Sequence, residues 1–364
     1  CVFVGNTGTE EGGAVYNYNA MPSFINCTFT QNEAVGVGLG GGMYNEETAA
    51  TLLNCIVWDN IPDAIYSDAD STADVTYSDI EGGYTGTGNL DVEPLFRAPG
   101  ELDVRLRAAS PCIDKGTAAG APATDIAGVA RPQGEGVDMG AYERQPAAEG
   151  EGEGEGEGEG EGAPEGPDYV IYVDVANTSG IEDGQSWETA YTRIQRGIEE
   201  ANEEVGREIW VADGTYSEPR SHATGALALK EDVHVYGGFA GYETSRDQRQ
   251  WQVFVSIIDG SAARDLGDGS YGAAYHVVLG ARNATLDGFT VTGGAANGDS
   301  AAERVGGGMY IAGPEASTTV ARVVFEGNTA GDGGGLYCAY ARPSLTQCRF
   351  VSNAAGERGG GLYC

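Results

Sequence analysis

The chain has 364 residues, 59 of them glycine, and its 55 acidic against 20 basic residues give a formal net charge of −35. A field of that sign repels a phosphate backbone or an anionic lipid surface, which excludes nucleic-acid and membrane-surface partners at the outset. Hydrophobic residues make up 41% of the chain, so it can build a core; there is no strict G-X-Y period and no run of 18 apolar residues to span a membrane.

Residues 1–80 repeat themselves. Cys1-Val2-Phe3 with Asn6 is followed by Gly12-Gly13 and Tyr16, and the order returns as Cys27-Thr28-Phe29 with Asn32, then Gly40-Gly41-Gly42 and Tyr44. A third pass reads Cys55-Ile56-Val57 with Asn60. The steps are 26 residues from Cys1 to Cys27 and 28 from Cys27 to Cys55. A period in the mid-twenties, made of short alternating strands separated by turn residues, predicts one coil of a parallel β-solenoid per repeat. Alternation places Cys1 and Phe3 on one face and Val2 on the other.

Residues 81–146 read as an irregular closing region that completes a domain over 1–146. Residues 147–167 form a linker, in which Glu-Gly occurs seven times between Glu149 and Gly162. Such a tract has nothing to bury, so an extended path is expected and a helix is not. A second domain, 168–364, opens near Asp168. Tyr191, Ile194, Ile198 and Ala201 stand at helical spacing, predicting a capping helix over about 187–204. The repeat then resumes, with Phe325 and Asn328 before Gly333-Gly334-Gly335, and Cys348-Arg349-Phe350 with Asn353 before Gly359-Gly360-Gly361 and Tyr363. The chain thus reads as the end of one solenoid, a linker, and the beginning of another.

Stacked coil on coil, Phe3, Phe29, Val57, Val291, Phe325 and Phe350 are expected to form one interior column. Asn6, Asn32, Asn60, Asn328 and Asn353 form a structural ladder where the chain must turn, since asparagine tolerates left-handed geometry and stacked amides can bond between coils. The glycine triplets mark a tight corner. A leucine-rich repeat is the alternative, but its leucine spacing and per-repeat helix are missing.

The paired F-x-x-N and G-G-[AGLIV] elements over 1–80 and 285–364 resemble the repeats of polymorphic outer-membrane and related right-handed parallel β-helix proteins of bacterial surfaces. Tyr172-Val173-Asp174 through Trp187 to Tyr191, with Ile209 to Tyr216, is similar to the opening of such β-helices. Pro94-Leu95-Phe96, Ser110 to Asp114, and Val137 to Glu143 are similar to their closing segment. The resemblance implies an all-β fold, a right-handed parallel β-helix, here as two partial solenoids joined by the Glu-Gly linker with one short capping helix. It implies little about activity, because pectate-lyase-like solenoids host enzymes, adhesins and inert spacers alike.

Motifs of chemistry are sparse. His222, His234 and His276 stand at no ligand spacing, there is no G-x-S-x-G elbow, and the glycine clusters lack the Lys-Ser/Thr of a phosphate loop. Paired acids could serve a glycosidase or lyase; the candidates are Asp59 with Asp63, the group Asp68, Asp70 and Asp74, and Asp265 with Asp268. The basic residue a lyase would use as proton acceptor is scarce near these acids, with no lysine or arginine between Cys1 and Phe96. Calcium is the one cofactor to consider, at Asp174 with Asp183 or Asp265 with Asp268, although neither pair completes a D-x-[DN]-x-[DN]-G loop. Of seven cysteines, Cys27 with Cys55 and Cys338 with Cys364 would be stacked neighbours, and buried thiols are expected over disulfides.

The expected function is an extracellular or cell-surface structural protein, a unit of a filament, stalk or adhesin; the alternative is a polysaccharide-active β-helix enzyme. Self-association is expected, with 168–364 of one copy stacking head to tail on 1–146 of the next, and surface glycans are a further candidate partner. The assembly interface would comprise Cys1, Phe3, Tyr16, Cys348, Phe350, Tyr363 and Cys364. Nine residues, Ala339 to Gln347, separate Cys338 from Cys348, and the same number would lead from Cys364 to another Cys1. That shortfall favours tandem copies in one chain, or a trimmed fragment, over separate subunits.

Overall fold

The computed structural model describes residues 1–36, 38–145, 170–202, 207–217 and 219–364. The Glu-Gly tract, with the path expected for it, lies outside the described residues. So does the expected end of the helix at 203–206.

The described chain is a succession of strands of two to six residues, mostly in parallel sheets, with one α-helix. Successive strands enter different sheets. Thr319–Ala321, Val324–Glu326, Thr329–Ala330 and Leu336–Ala339 belong to four sheets in turn, and Ser344–Thr346 then returns to the first of them. Each such passage is one rung, and every strand pairs with its counterpart one rung away. Phe325 thus lies beside Phe350 and Tyr337 beside Tyr363.

The longest sheet has nine strands, and its order exposes the main departure from expectation. It runs Asp79–Ile80, Ile56–Trp58, Thr28–Thr30, Val2–Val4, Arg349–Val351, Val324–Glu326, Phe289–Thr292, Ser256–Asp259 and Gly214–Tyr216. Val2–Val4 therefore pairs on one side with Thr28–Thr30 and on the other with Arg349–Val351 of the same chain. The eight-stranded sheet does the same, with Val15 opposite Leu362 and Tyr16 opposite Tyr363. The pairings expected between copies are thus made within one chain. The physical reason is mass action: two complementary strand edges tethered in one molecule meet at an effective concentration that a second copy does not reach.

Phe3, Phe29, Val57, Val291, Phe325 and Phe350 are buried in one hydrophobic cluster that draws on both parts of the chain. Their rings stack: Phe325 on Phe350 at 5.0 Å, Phe350 on Phe3 at 4.7 Å, and Phe3 on Phe29 at 4.7 Å. Val2, Val4 and Val351 point to the opposite face of the same sheet, where Phe96, Leu106, Cys112, Met139 and Ala141 cover them. Residues 96–145 are thus a second layer laid along the side of the stack, while the turn after Ile80 closes its end through the Asp79–Leu90 bridge. A sheet buried on both faces explains why Val2-Phe3-Val4 is apolar at every position.

The helix is shorter than the spacing suggests. It covers Ile194–Glu200 and buries Ile194, Gly197 and Ile198, making contact with strands Val170–Val173, Glu208–Ala212 and Leu227–Ala228. Tyr191 is not helical. Its N–H donates to Tyr172 O and its carbonyl accepts from Asp174 N, which holds Ala190–Tyr191 extended beside the first strand.

The turns also differ from the expected chemistry. The left-handed residue is the one before each ladder asparagine: Gly5, Gln31, Asp59, Gly327 and Ser352 have φ of +52° to +65°. Two kinds of glycine recur at the triplets. Gly333 has φ +63°, and a Cβ on Gly334 would stand 2.5 Å from Ala354 O of the next rung. One glycine serves backbone sign, the other close approach.

Candidate functional site

The ladder crosses the junction between the two parts of the chain without a break. Asn328 Nδ2 donates to Asn353 Oδ1 at 3.1 Å, Asn353 Nδ2 to Asn6 Oδ1 at 3.0 Å, Asn6 Nδ2 to Asn32 Oδ1 at 2.9 Å, and Asn32 Nδ2 to Asn60 Oδ1 at 2.8 Å. Each Oδ1 also accepts the backbone N–H of the preceding asparagine, as Asn353 Oδ1 does from Asn328 N at 3.0 Å. The second Nδ2 proton reaches a carbonyl one rung back, Asn353 to Phe325 O and Asn6 to Phe350 O. All five side chains are buried. Because each amide is fully used, the column fixes rung register as well as stability.

A second stack lies apart from the phenylalanine column, with Tyr16, Tyr44 and Tyr363 buried in a cluster of their own. His276, Tyr310, Tyr337, Tyr363, Tyr16, Tyr44 and Tyr66 follow one another ring on ring, 4.6 to 5.9 Å apart. Arg358 lies over Tyr16 and Tyr363 and pairs with Asp332. The Tyr16 hydroxyl donates to Glu46, and burial followed by Glu46 raises its pKa. Burial and the Glu46 charge likewise raise the pKa of Glu11. The ring faces are spent on one another, which leaves edges rather than faces for any sugar.

The junction is also where the third sheet is interrupted. It has six strands ending at Ser344–Thr346, and a separate run of three begins at Ser23–Ile25. Between them is a cavity of about 1290 Å³, lined by Phe3, Asn17, Phe24, Tyr340 and Leu345 among others. The interface residues surround it. Cys1, Phe3, Tyr363 and Cys364 line it, Phe350 is stacked against Phe3, and the carbonyl of Cys348 accepts Val2 N at 2.9 Å.

The calcium candidates are engaged in turns. Asp174, Asp183, Asp265 and Asp268 each accept the amide two residues on, from Ala176, Gln185, Gly267 and Ser270. Hydrogen bonds from Thr189 to Asp183 and from Ser270 to Asp268 hold those two carboxyls below the usual range. Among the described residues, no group of three His, Cys, Asp or Glu side chains converges on one point. Of the paired acids, Asp63 accepts Gly40 N at 2.5 Å and Asp68 accepts Asp70 N at 3.2 Å. His276 is buried against Tyr310, and desolvation lowers its pKa.

The cysteines divide. Cys338 and Cys364 are joined by a disulfide between adjacent rungs, with Cα atoms 4.9 Å apart, where a pair of thiols was expected. Cys1, Cys27, Cys55, Cys112 and Cys348 are free, and burial raises the Cys348 pKa to about 11.

Sequence reasoning overlooked the buried charges of the covering layer and of the stack itself. Arg131 pairs with Glu143 at 2.6 Å, both fully enclosed. Asp138 accepts Asp114 N and Arg144 N, while its pKa is pushed up to about 6 by desolvation. Asp287 holds Arg249 at 2.7 Å and Arg322 through its other oxygen at 2.8 Å. The sequence offered only a faint signal for these: charged residues inside otherwise apolar motifs such as Val137 to Glu143.

Residues 322–339 match the Chlamydia polymorphic membrane protein repeat. The matched stretch supplies Phe325, Asn328 and the Gly333–Gly335 corner, one member each of the ring column, the amide ladder and the close approach between rungs. No curated protein and no solved structure matches the chain. No helix among the described residues is long and apolar enough to cross a membrane.

Proposed function

We propose that the chain is a structural β-solenoid of a bacterial cell surface: a right-handed parallel β-helix that acts as a rigid segment of a stalk, filament or adhesin. The observation that carries this reading is the unbroken asparagine ladder with its phenylalanine column, which spends both polar and apolar interiors on stiffness along one axis. The polymorphic membrane protein repeat at 322–339 supports an outer-membrane or cell-surface location. Head-to-tail growth through the same edges belongs to this reading only as an exchange of halves between copies, because one chain already pairs them. Surface glycans remain its candidate ligands, to be met by ring edges and loops.

The direct test is to label intact, unpermeabilised source cells with antibody raised against residues 1–364. Surface labelling is expected; labelling only after permeabilisation would reject the reading. A polysaccharide-active enzyme is the second reading, favoured by one feature, the raised Glu11 carboxyl beside Glu46 and the tyrosine stack. It requires uronic-acid or sugar product from pectin or alginate, lost in Glu11→Gln. Absence of product discards it.

A further inference from the structure

Cys27 and Cys55 stand 28 residues apart in sequence and one rung apart in the stack. The residues that follow them, Thr28 and Ile56, are partners in adjacent strands, and Ile56 N donates to Cys27 O at 2.9 Å. Their Cα atoms therefore share one column at the usual strand spacing of about 4.8 Å. A disulfide spans Cα atoms roughly 4.4–6.8 Å apart. One link of this kind is already present: Cys338 and Cys364, 26 residues and one rung apart, are joined with Cα atoms 4.9 Å apart.

The side chains of Cys27 and Cys55 are aimed for closure. Cys55 Sγ leans one rung back to Phe24 O at 3.4 Å, and Cys27 Sγ lies against Ile25 O of that same rung, also at 3.4 Å. The Cys55 thiol donates to the Cys27 sulfur, which holds Cys27 below the ordinary thiol value, while burial raises Cys55. Both side chains are buried in the main core, with Phe24, Phe29 and Val57. The other free thiols turn elsewhere. Cys348 Sγ donates to Val320 O at 3.3 Å and Cys1 Sγ to Leu345 O at 3.8 Å, both away from Cys27. Cys112 Sγ donates to Asp79 in the covering layer at 3.0 Å.

We propose that Cys27 and Cys55 are a cross-linking site, closing to a disulfide that staples the rung of Thr28–Thr30 to the rung of Ile56–Trp58 when the chain folds with a disulfide oxidant present. The Cys27 thiolate attacks the external disulfide and expels one thiol, leaving a mixed disulfide on Cys27. The Cys55 thiolate then attacks the Cys27 sulfur and expels the second thiol. The two cysteines lose two protons and two electrons in all, and the oxidant gains them as two thiols. Folded rungs hide both sulfurs from water, so the exchange precedes the closing of the rungs. Stapling a 28-residue step restricts the unfolded chain, and favours folding by on the order of 10²-fold. The step needs an oxidant alone and does not rest on the stalk or adhesin reading.

The test refolds the full chain from urea in a mixture of reduced and oxidised glutathione, and in parallel with a reductant only. Remaining thiols are blocked with N-ethylmaleimide in denaturant, and the chain is cut after glutamate, since no lysine or arginine separates Cys1, Cys27 and Cys55. Cleavage places Cys1 in fragment 1–10, Cys27 in 12–33 and Cys55 in 48–81. Mass spectrometry should find fragments 12–33 and 48–81 joined, two hydrogen atoms lighter than their sum, in most oxidised chains and in none of the reduced ones. Maleimide on both Cys27 and Cys55 after oxidation, or Cys27 joined to Cys1, overturns the proposal. Urea unfolding supplies a second reading, in which the ratio of oxidised to reduced folding constants should fall at least tenfold in Cys55→Ala, where Cys338–Cys364 is retained. A ratio equal to that of the unsubstituted chain overturns the staple.

Discussion

Replacing Phe350 by alanine probes the column at its most demanding point. The ring is fully buried and stacks on Phe325 at 5.0 Å and on Phe3 at 4.7 Å, the latter across the junction between the two parts of the chain. Burial and cavity together make Phe→Ala cost about 3–5 kcal/mol. The substitution also removes two stacked pairs, each contributing about 0.5–1.5 kcal/mol beyond area, and hydrogen-bonded rungs on either side limit collapse into the void. The upper part of the range is therefore expected, about 4–5 kcal/mol. Thr346→Ala, on an exposed side chain two residues before Cys348, should stay within about 0.5 kcal/mol. Urea unfolding followed by far-ultraviolet circular dichroism reads both. A cost for Phe350→Ala below about 1 kcal/mol, indistinguishable from the Thr346 control, would refute the packed column.

The ladder, the buried charges and the covering layer make separate predictions. Asn353→Ala strips acceptors from the Asn328 amide and side chain and a donor from Asn6 Oδ1, so it should cost about 2–4 kcal/mol and speed hydrogen exchange at the Asn328 amide; unchanged exchange there would argue against the ladder. Asp287→Ala leaves Arg249 enclosed without its counter-charge and should destabilise by about 3–5 kcal/mol in the same urea assay. Asp138 has a folded pKa of about 6 against an ordinary 3.8, so the native state holds its proton where the unfolded chain has lost it. Its contribution is present below about pH 3.8 and is lost as pH rises toward 6, and the fall in stability over that window should be shallower in Asp138→Asn. An identical pH slope in the two proteins would contradict the assignment.

The repeat was readable because alternation and a period of 26 to 28 residues recur in Cys27-Thr28-Phe29 and its counterparts, and parallel strands one rung apart follow from that recurrence. Recurrence does not say which residue of a turn takes the left-handed conformation; Gln31 does so beside Asn32, because the asparagine amide is committed to the next rung. Helical spacing at Tyr191 misled for a related reason. Period alone cannot weigh two backbone bonds to the first strand against one more helical turn. The covering layer was legible as irregular sequence but not as to where it lies, although the apolar Val2 and Val4 on either side of Phe3 hint at a sheet buried on both faces. The unpartnered Asn17 Oδ1 and the interrupted sheet beside it depend on which strands meet across the junction. That pairing links residues more than 340 positions apart, beyond any local pattern.

The central claim is that residues 170–364 stack on residues 1–145 within a single chain, with Phe350 directly on Phe3. Nuclear Overhauser contacts between the two rings, recorded on a uniformly labelled sample and on an equimolar mixture of labelled and unlabelled chains, test it most directly. A Phe3–Phe350 contact in the labelled sample, with no cross-peak in the isotope-filtered spectrum of the mixture, is the predicted result. A contact that appears in the filtered spectrum would place the junction between copies, and the absence of a contact in both samples would contradict the stack itself.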